Sequence, residues 1–223
     1  HFEVLVRIKN ELGDYISPGV FVPASERYNM AHLLDRQVVD QTLIWLECHP
    51  IEQQNLGLCS INLSGQSIGN PEFVDFLLTR LRETSVSCLK LCFEITETAA
   101  MSNIKQAMIL FSALKQLGCK IALDDFGSGV SSFGYLKKIP VDIVKIDGLF
   151  VRDIVDDEMD RLMVRSINEL AQKMGKLTVA EFVESEAILT LLGDMGIDYA
   201  QGYIINKPQP ISSLVEQLME EIY

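Results

Sequence analysis

The stretch SNIKQAMILFSALKQLGCKIALDDFG, residues 102–127, decides the fold. Ile104, Met108, Phe111 and Leu114 recur on one face of a 3.6-residue period, so a helix capped by Ser102 runs until Gly118 stops it. Lys120 to Leu123 follows at once as a short aliphatic run and ends in two carboxylates, Asp124 and Asp125. A helix feeding a near-continuous apolar strand is one unit of a parallel sheet covered on both faces.

The same alternation extends outward in both directions. Strand-like runs fall at Phe2 to Ile8, Leu58 to Leu63, Leu91 to Ile95, Asp142 to Ile146, Leu177 to Ala180 and Asp198 to Ala200. Asn70 and Pro71 open one intervening helix, and another carries Met159, Leu162, Met163, Ile167, Leu170 and Met174 before Gly175. The methionines fit the helix period and are read as core rather than as a cofactor box. Strands alternating with helices throughout predict an α/β fold, a TIM-like (β/α)8 barrel. A closed barrel needs one strand more than these runs supply, so the first strand is expected upstream of residue 1.

A chain of 223 residues with 48% hydrophobic content can bury a full core, and residues 1–223 are read as one domain without an internal boundary. No window holds the roughly 18 uninterrupted apolar residues of a membrane span, which points to a chain that makes no membrane contact of its own. The five cysteines, Cys48, Cys59, Cys88, Cys92 and Cys119, are odd in number and form no CxxC pair, so they are read as buried thiols of a reducing cytoplasm rather than a zinc site. A net charge of −12 argues against a nucleic-acid polymer lying along the surface. A small anionic ligand is still allowed if metal ions supply the positive charge.

Catalytic groups of such barrels sit where the strands end. The strand ends here carry Asn62, Glu94, the pair Asp124 and Asp125, Lys145, Glu181 and the amide of Gln201. One polar residue at a strand end is ordinarily a cap or a solvated turn, but six strands doing the same predict one shared acidic pocket. Carboxylates gathered there would repel one another without cations between them. Oxygen donors with no His or Cys match hard divalent ions such as Mg²⁺ or Mn²⁺. Adjacent Asp124 and Asp125 suit two ions roughly 3.5–4 Å apart sharing a carboxylate, the arrangement of metal-assisted phosphoester hydrolysis. Lys145 inside a strand needs the facing carboxylates as partners. The loop from Asp125 through Gly127 and Gly129 has neither the Walker spacing nor a GxGxxG fingerprint, and reads equally as a phosphate contact or as a flexible connection. His1, His32, His49 and Trp45 show no ligand spacing and are given no chemistry.

These residues resemble the EAL domain of cyclic di-GMP phosphodiesterases over essentially the whole chain. The resemblance is carried, in family order, by Glu3-Val4-Leu5-Val6-Arg7, Asn62-Leu-Ser, Glu94-Ile-Thr-Glu97, Asp124-Asp125-Phe-Gly-Ser-Gly, Lys145-Ile-Asp, Ala180-Glu181-Phe-Val-Glu184 and Gln201-Gly-Tyr with Pro208. It implies that Glu3, Asn62, Glu94 and Asp124 hold one metal ion, and that Asp124, Asp125 and Glu181 serve a second. It further implies that Lys145 and Gln201 orient the attacking water with Glu181 as base. Glu97 and Glu184 would support the ligands, Glu97 by anchoring the loop after Asp125. Arg7 would meet a substrate phosphate, and Leu5 and Pro208 would line the nucleotide pocket.

The expected activity is therefore hydrolysis of cyclic di-GMP to linear pGpG with two Mg²⁺ or Mn²⁺ ions, Ca²⁺ being inhibitory. A catalytically silent cyclic di-GMP receptor is the alternative, and it predicts missing carboxylates where none is missing; a scaffold that only dimerises leaves the acidic pocket unexplained. Three positions depart from the family pattern: Val4 stands for Ala, Val130 for an aromatic in the loop, and Phe182 for Gly. The last two bear on loop rigidity and rate rather than on the metal ligands. The first residue is not Met and the first strand starts at once, so a fragment of a longer multidomain signalling protein is expected, with room for a sensor or GGDEF-type domain upstream; the cysteines point to a cytoplasmic location, and homodimerisation is usual in the family.

Overall fold

The computed structural model describes residues 1–129 and 134–214. Its elements in chain order are β1 (Phe2–Val4), β2 (Ile8–Lys9), β3 (Tyr15–Ile16), α1 (Pro18–Arg27), α2 (Ala31–Cys48), α3 (Pro50–Asn55), β4 (Cys59–Asn62), α4 (Gly65–Gly69), α5 (Pro71–Glu83), β5 (Leu91–Thr96), α6 (Glu97–Ser102), α7 (Ile104–Leu117), β6 (Lys120–Phe126), β7 (Ile143–Ile146), α8 (Gly148–Val151), α9 (Glu158–Lys173), β8 (Leu177–Ala180), α10 (Glu186–Asp194) and β9 (Tyr199–Ala200). By contact they group into two compact units. Of the described residues, the first holds His1–Glu94, Ser102–Cys119 and 209–214; the second holds Ile95–Met101, 120–129 and 134–208.

In the first unit β1, β4 and β5 pair in parallel, Glu3 beside Ser60 and Asn62 beside Glu94. Leu91, Cys92 and Phe93 of β5 are fully enclosed, as a strand covered on both faces requires. Burying side chains such as Phe93, Leu110 and Phe111 contributes about 1.5–3 kcal/mol each. Asn70 caps α5 by accepting from Glu72 N and Phe73 N at 2.9 and 3.2 Å. In the second unit β6, β7, β8 and β9 are likewise parallel. There α9 reaches β8 through a buried polar link: Thr178 Oγ1 donates to Asn168 Oδ1 at 2.7 Å, and Asn168 Nδ2 donates to Met195 O at 2.9 Å.

Each of the seven predicted strands forms, with four local corrections. The first run does not continue to Ile8. Asn10 Oδ1 accepts from Leu12 N and Asp14 N, both at 2.9 Å, and this turn folds Ile8–Lys9 back onto Tyr15–Ile16 as an antiparallel ribbon. Ser102 does not cap α7; it is the last residue of α6, and Asn103 precedes α7 without a side-chain capping bond. The buried face of α9 is Val164, Ile167, Asn168 and Ala171, so Met159, 65% exposed, is surface rather than core. The apolar period fixed that helix's existence but not which flank faces inward. Finally, Cys59, Cys92 and Cys119 are buried, whereas Cys48 is exposed and Cys88 half-buried.

Candidate metal centre

Glu3, Asn62 and Glu94 come from three neighbouring strands of the first unit. Side chains two residues apart on a strand share a face, so the pairing of Glu3 with Ser60 and of Asn62 with Glu94 puts all three on one side of the sheet. Asn62 Nδ2 donates to Glu3 Oε1 at 2.6 Å. Glu94 is 3% exposed. Its charge adds to burial in pushing the Cys59 thiol up to about 12. The connection after Asn62 is fastened by Asp35 of α2, whose Oδ2 accepts from Ser64 N at 2.7 Å and Ser67 Oγ at 2.6 Å.

The second unit builds its cluster differently. Asp124 and Asp125 are consecutive in β6 and in a regular strand would point to opposite faces. Instead the pairing of β6 with β7 shifts register between Leu123 and Phe126, and Asp125 takes a left-handed backbone with φ +53. A bulge re-aims side chains, and Asp is among the residues that tolerate this conformation. The result is that ligand oxygens of Asp124, Asp125 and Glu181 lie within 4.8 Å of one another.

Lys145 of β7, 2% exposed at its side chain, stands between two of them, with Nζ 3.0 Å from Asp124 Oδ1 and 2.9 Å from Glu181 Oε1. The 3.0 Å approach to Asp124 Oδ1 is an ion pair without hydrogen-bond alignment, so that buried oxygen makes no hydrogen bond. Three carboxylates whose oxygens lie within 4.8 Å of one another, two of them on one ammonium and one presenting a buried oxygen outside any hydrogen bond, fit a hard cation. Glu181 is placed by its own amide, which donates to Ile146 O at 3.2 Å, just beyond the end of β8.

The remaining sequence-predicted residues differ in burial and in their bonds. Glu97 opens α6, is buried, and accepts from Gly127 N at 3.0 Å and from the hydroxyl of Tyr135. Gln201 follows β9, half-buried, its backbone N–H donating to Ala180 O at 2.8 Å. Leu5, Arg7, Glu184 and Pro208 are exposed, and Arg7 Nη1 donates to the adjacent Val6 O at 2.9 Å. Val130 lies outside the described residues. Tyr135 and Asp35 were missed from sequence: neither follows a strand end, and their partners lie 38 residues away for Tyr135 and 29 to 32 residues away for Asp35.

Parallel strands presenting carboxylates and a lysine define an α/β protein with an acidic cluster that could hold a metal ion. The EAL domain model matches residues 1–208, and the chain belongs to the EAL domain family. It is 41% identical, over 96% of its length, to the Cyclic di-GMP phosphodiesterase PdeB of Shewanella oneidensis, and 37% identical, over 98%, to the Cyclic di-GMP phosphodiesterase PdeF of Escherichia coli. It spans 25% and 29% of those two relatives. Among solved structures, a PaMucR phosphodiesterase in complex with c-di-GMP superposes with a TM-score of 0.84 at 30% identity, covering 95% of this chain and 86% of that one. The FimX EAL domain from Pseudomonas aeruginosa bound to c-di-GMP gives 0.84 at 30%, covering 93% and 83%. The TIM-like barrel class read from the alternation of strands and helices is the fold of these structures. No helix among the described residues is long and apolar enough to cross a membrane.

Proposed function

We propose that this domain hydrolyses one phosphodiester bond of cyclic di-GMP, giving linear pGpG, with two divalent cations, Mg²⁺ or Mn²⁺. The observation that carries the reading is the set Asp124, Asp125 and Glu181, whose ligand oxygens lie within 4.8 Å of one another, with buried Lys145 against Asp124 and Glu181. The family supports the substrate: relatives that match this chain are named cyclic di-GMP phosphodiesterases.

Glu3, Asn62, Glu94 and Asp124 would hold one ion, and Asp124, Asp125 and Glu181 the other. When bound, the ions supply positive charge to the phosphate oxygens and make a bound water acidic. Asn62 is suited to its part because its amide nitrogen already donates to Glu3, which turns the amide oxygen into its remaining donor atom for a cation. Lys145 and Gln201 orient the attacking water, and Glu181 accepts its proton. Water oxygen bonds to phosphorus, the bond to the 3′-oxygen breaks, and that oxygen leaves with a proton, so the product keeps its 5′-phosphate. Arg7 meets a substrate phosphate, Leu5 and Pro208 flank the bases, and Glu97 and Glu184 hold the ligands in place.

Incubation with cyclic di-GMP and Mg²⁺, with products resolved chromatographically, tests the reading. Linear pGpG is expected, and none in EDTA. Ca²⁺ prefers longer bonds, about 2.3–2.6 Å against roughly 2.0–2.2 Å for Mg²⁺ and Mn²⁺, and polarises water less. It should therefore support cyclic di-GMP binding while competing with Mg²⁺ for turnover. Binding without hydrolysis in every metal would make the domain a receptor; full activity in Ca²⁺ alone or in EDTA would refute the two-metal mechanism.

A further inference from the structure

Phe182 directly follows Glu181 and holds φ at +53, a region an L-residue with a ring occupies only under strain. Strained residues of this kind persist where their surroundings over-determine them. On the upstream side, Glu181 N donates to Ile146 O at 3.2 Å. On the downstream side, Val183 N donates to Gln201 O at 3.0 Å and Val183 O accepts from Ile204 N at 3.2 Å. Gly202 packs so closely on the Val183 peptide that no Cβ fits there. The chain thus switches from bonding β7 to bonding the segment after β9 within two residues, and the left-handed turn at Phe182 makes the switch. The ring, on a residue 46% exposed, lies in the place a side chain on Gly148 would take, and the Arg152 guanidinium lies over it, 4.2 Å from the centroid.

We propose that Phe182 is a positioning residue: its ring, seated against Gly148 under Arg152, holds the left-handed turn that fixes Glu181 relative to Gln201. A glycine at 182 would adopt this backbone without strain but would have no ring to lock it. An alanine would keep the strain and lose the lock. The order of variants is therefore set by the backbone and not by side-chain size.

The role assigned to Glu181 and Gln201 rests on the proposed hydrolysis, but the turn can be read without it, from amide hydrogen exchange at Val183 and Gln201. In Phe182→Ala, Val183 exchange should accelerate about tenfold, and kcat should fall about tenfold with KM within about twofold. Phe182→Gly should sit at least about threefold nearer the wild type in both readouts. Gly148→Ala, which displaces the ring while leaving Phe182 in place, should resemble Phe182→Ala. Thermal unfolding of each variant confirms that it is folded. Equal exchange in the Ala and Gly variants, or a Phe182→Ala effect confined to KM, overturns the proposal. A wild-type protein that hydrolyses nothing would overturn the reading of the site, and the exchange series would still decide the turn.

Discussion

The two sets of candidate site residues reach their positions by opposite routes. Glu3, Asn62 and Glu94 lie on regular parallel strands, where pairing and two-residue parity alone turn them to one face. Asp124, Asp125 and Glu181 gather only because β6 slips register, Asp125 turns left-handed, and a second left-handed residue follows Glu181. The first set is a by-product of the sheet. The second distorts it, and holds its charges together with a buried lysine. Side chains that ordinary geometry can place need no local strain, whereas adjacent carboxylates aimed at one point require the strand to break its own alternation.

The largest expected effect tests whether both sets serve one chemistry. Glu3→Ala, Asn62→Ala and Asp124→Ala should each lower turnover by about 10²–10⁴-fold while leaving the folded state intact. Steady-state kinetics with circular dichroism reads both quantities. Wild-type-like turnover in the first two, with loss only in the third, would mean that the regular set has no share in catalysis.

Next in size is the lysine that separates the two routes. Lys145→Ala leaves Asp124 and Glu181 without their shared ammonium in a setting where their side chains are 13% and 11% exposed. Removing one partner of a buried pair costs roughly 3–5 kcal/mol, which denaturant titration of the metal-free protein should show. Glu3→Gln, in the regular set, should change the same measurement by less than about 1 kcal/mol. Equal losses would erase the distinction. Kinetically Lys145→Ala should lower kcat far more than it weakens ligand binding in Ca²⁺, because orienting water matters mainly in the transition state.

This contrast also explains what was legible in the sequence. Strand positions and strand-end residues follow from period-two and period-3.6 patterns, so β4 to β9 and the residues Asn62, Glu94, Asp124 and Lys145 could be read directly. The ribbon at Ile8–Lys9 could not, because it depends on Asn10 bonding its own downstream backbone. Nor could the left-handed backbones of Asp125 and Phe182, since neither is a glycine and the strain is imposed by tertiary bonds. The inward flank of α9 was misplaced for a related reason: its enclosed Asn168 is polar and leaves no mark in an apolar pattern. Tyr135 and Asp35 act across distant segments, where sequence spacing carries no signal.

A middle-sized effect probes how the distorted strand is held. Glu97 accepts from Gly127 N, two residues past Asp125, and from Tyr135. Glu97→Ala should lower turnover about 10–100-fold by releasing that loop, without removing a ligand. Tyr135→Phe, which deletes one of the two bonds, should fall between it and the wild type. An unchanged rate in Glu97→Ala would show that the bulge holds Asp125 unaided.

The smallest effect belongs to the regular set, through the connection that follows Asn62. Burial raises the Asp35 carboxyl above its ordinary 3.8, against the lowering influence of its bonds from Ser67 and Ser64. The folded state therefore holds this proton more tightly than the unfolded chain does. Asp35's contribution to stability is greatest below 3.8 and declines as pH rises through the raised folded value. Asp35→Asn keeps an oxygen to accept from Ser64 N or Ser67 Oγ and removes the titration. Unfolding free energies measured by denaturant between about pH 4 and pH 7 should lose that decline in the variant, with a net difference at neutral pH below about 1 kcal/mol. An identical pH slope in both proteins would mean that the carboxyl titrates alike folded and unfolded, its burial offset by the bonds from Ser64 and Ser67.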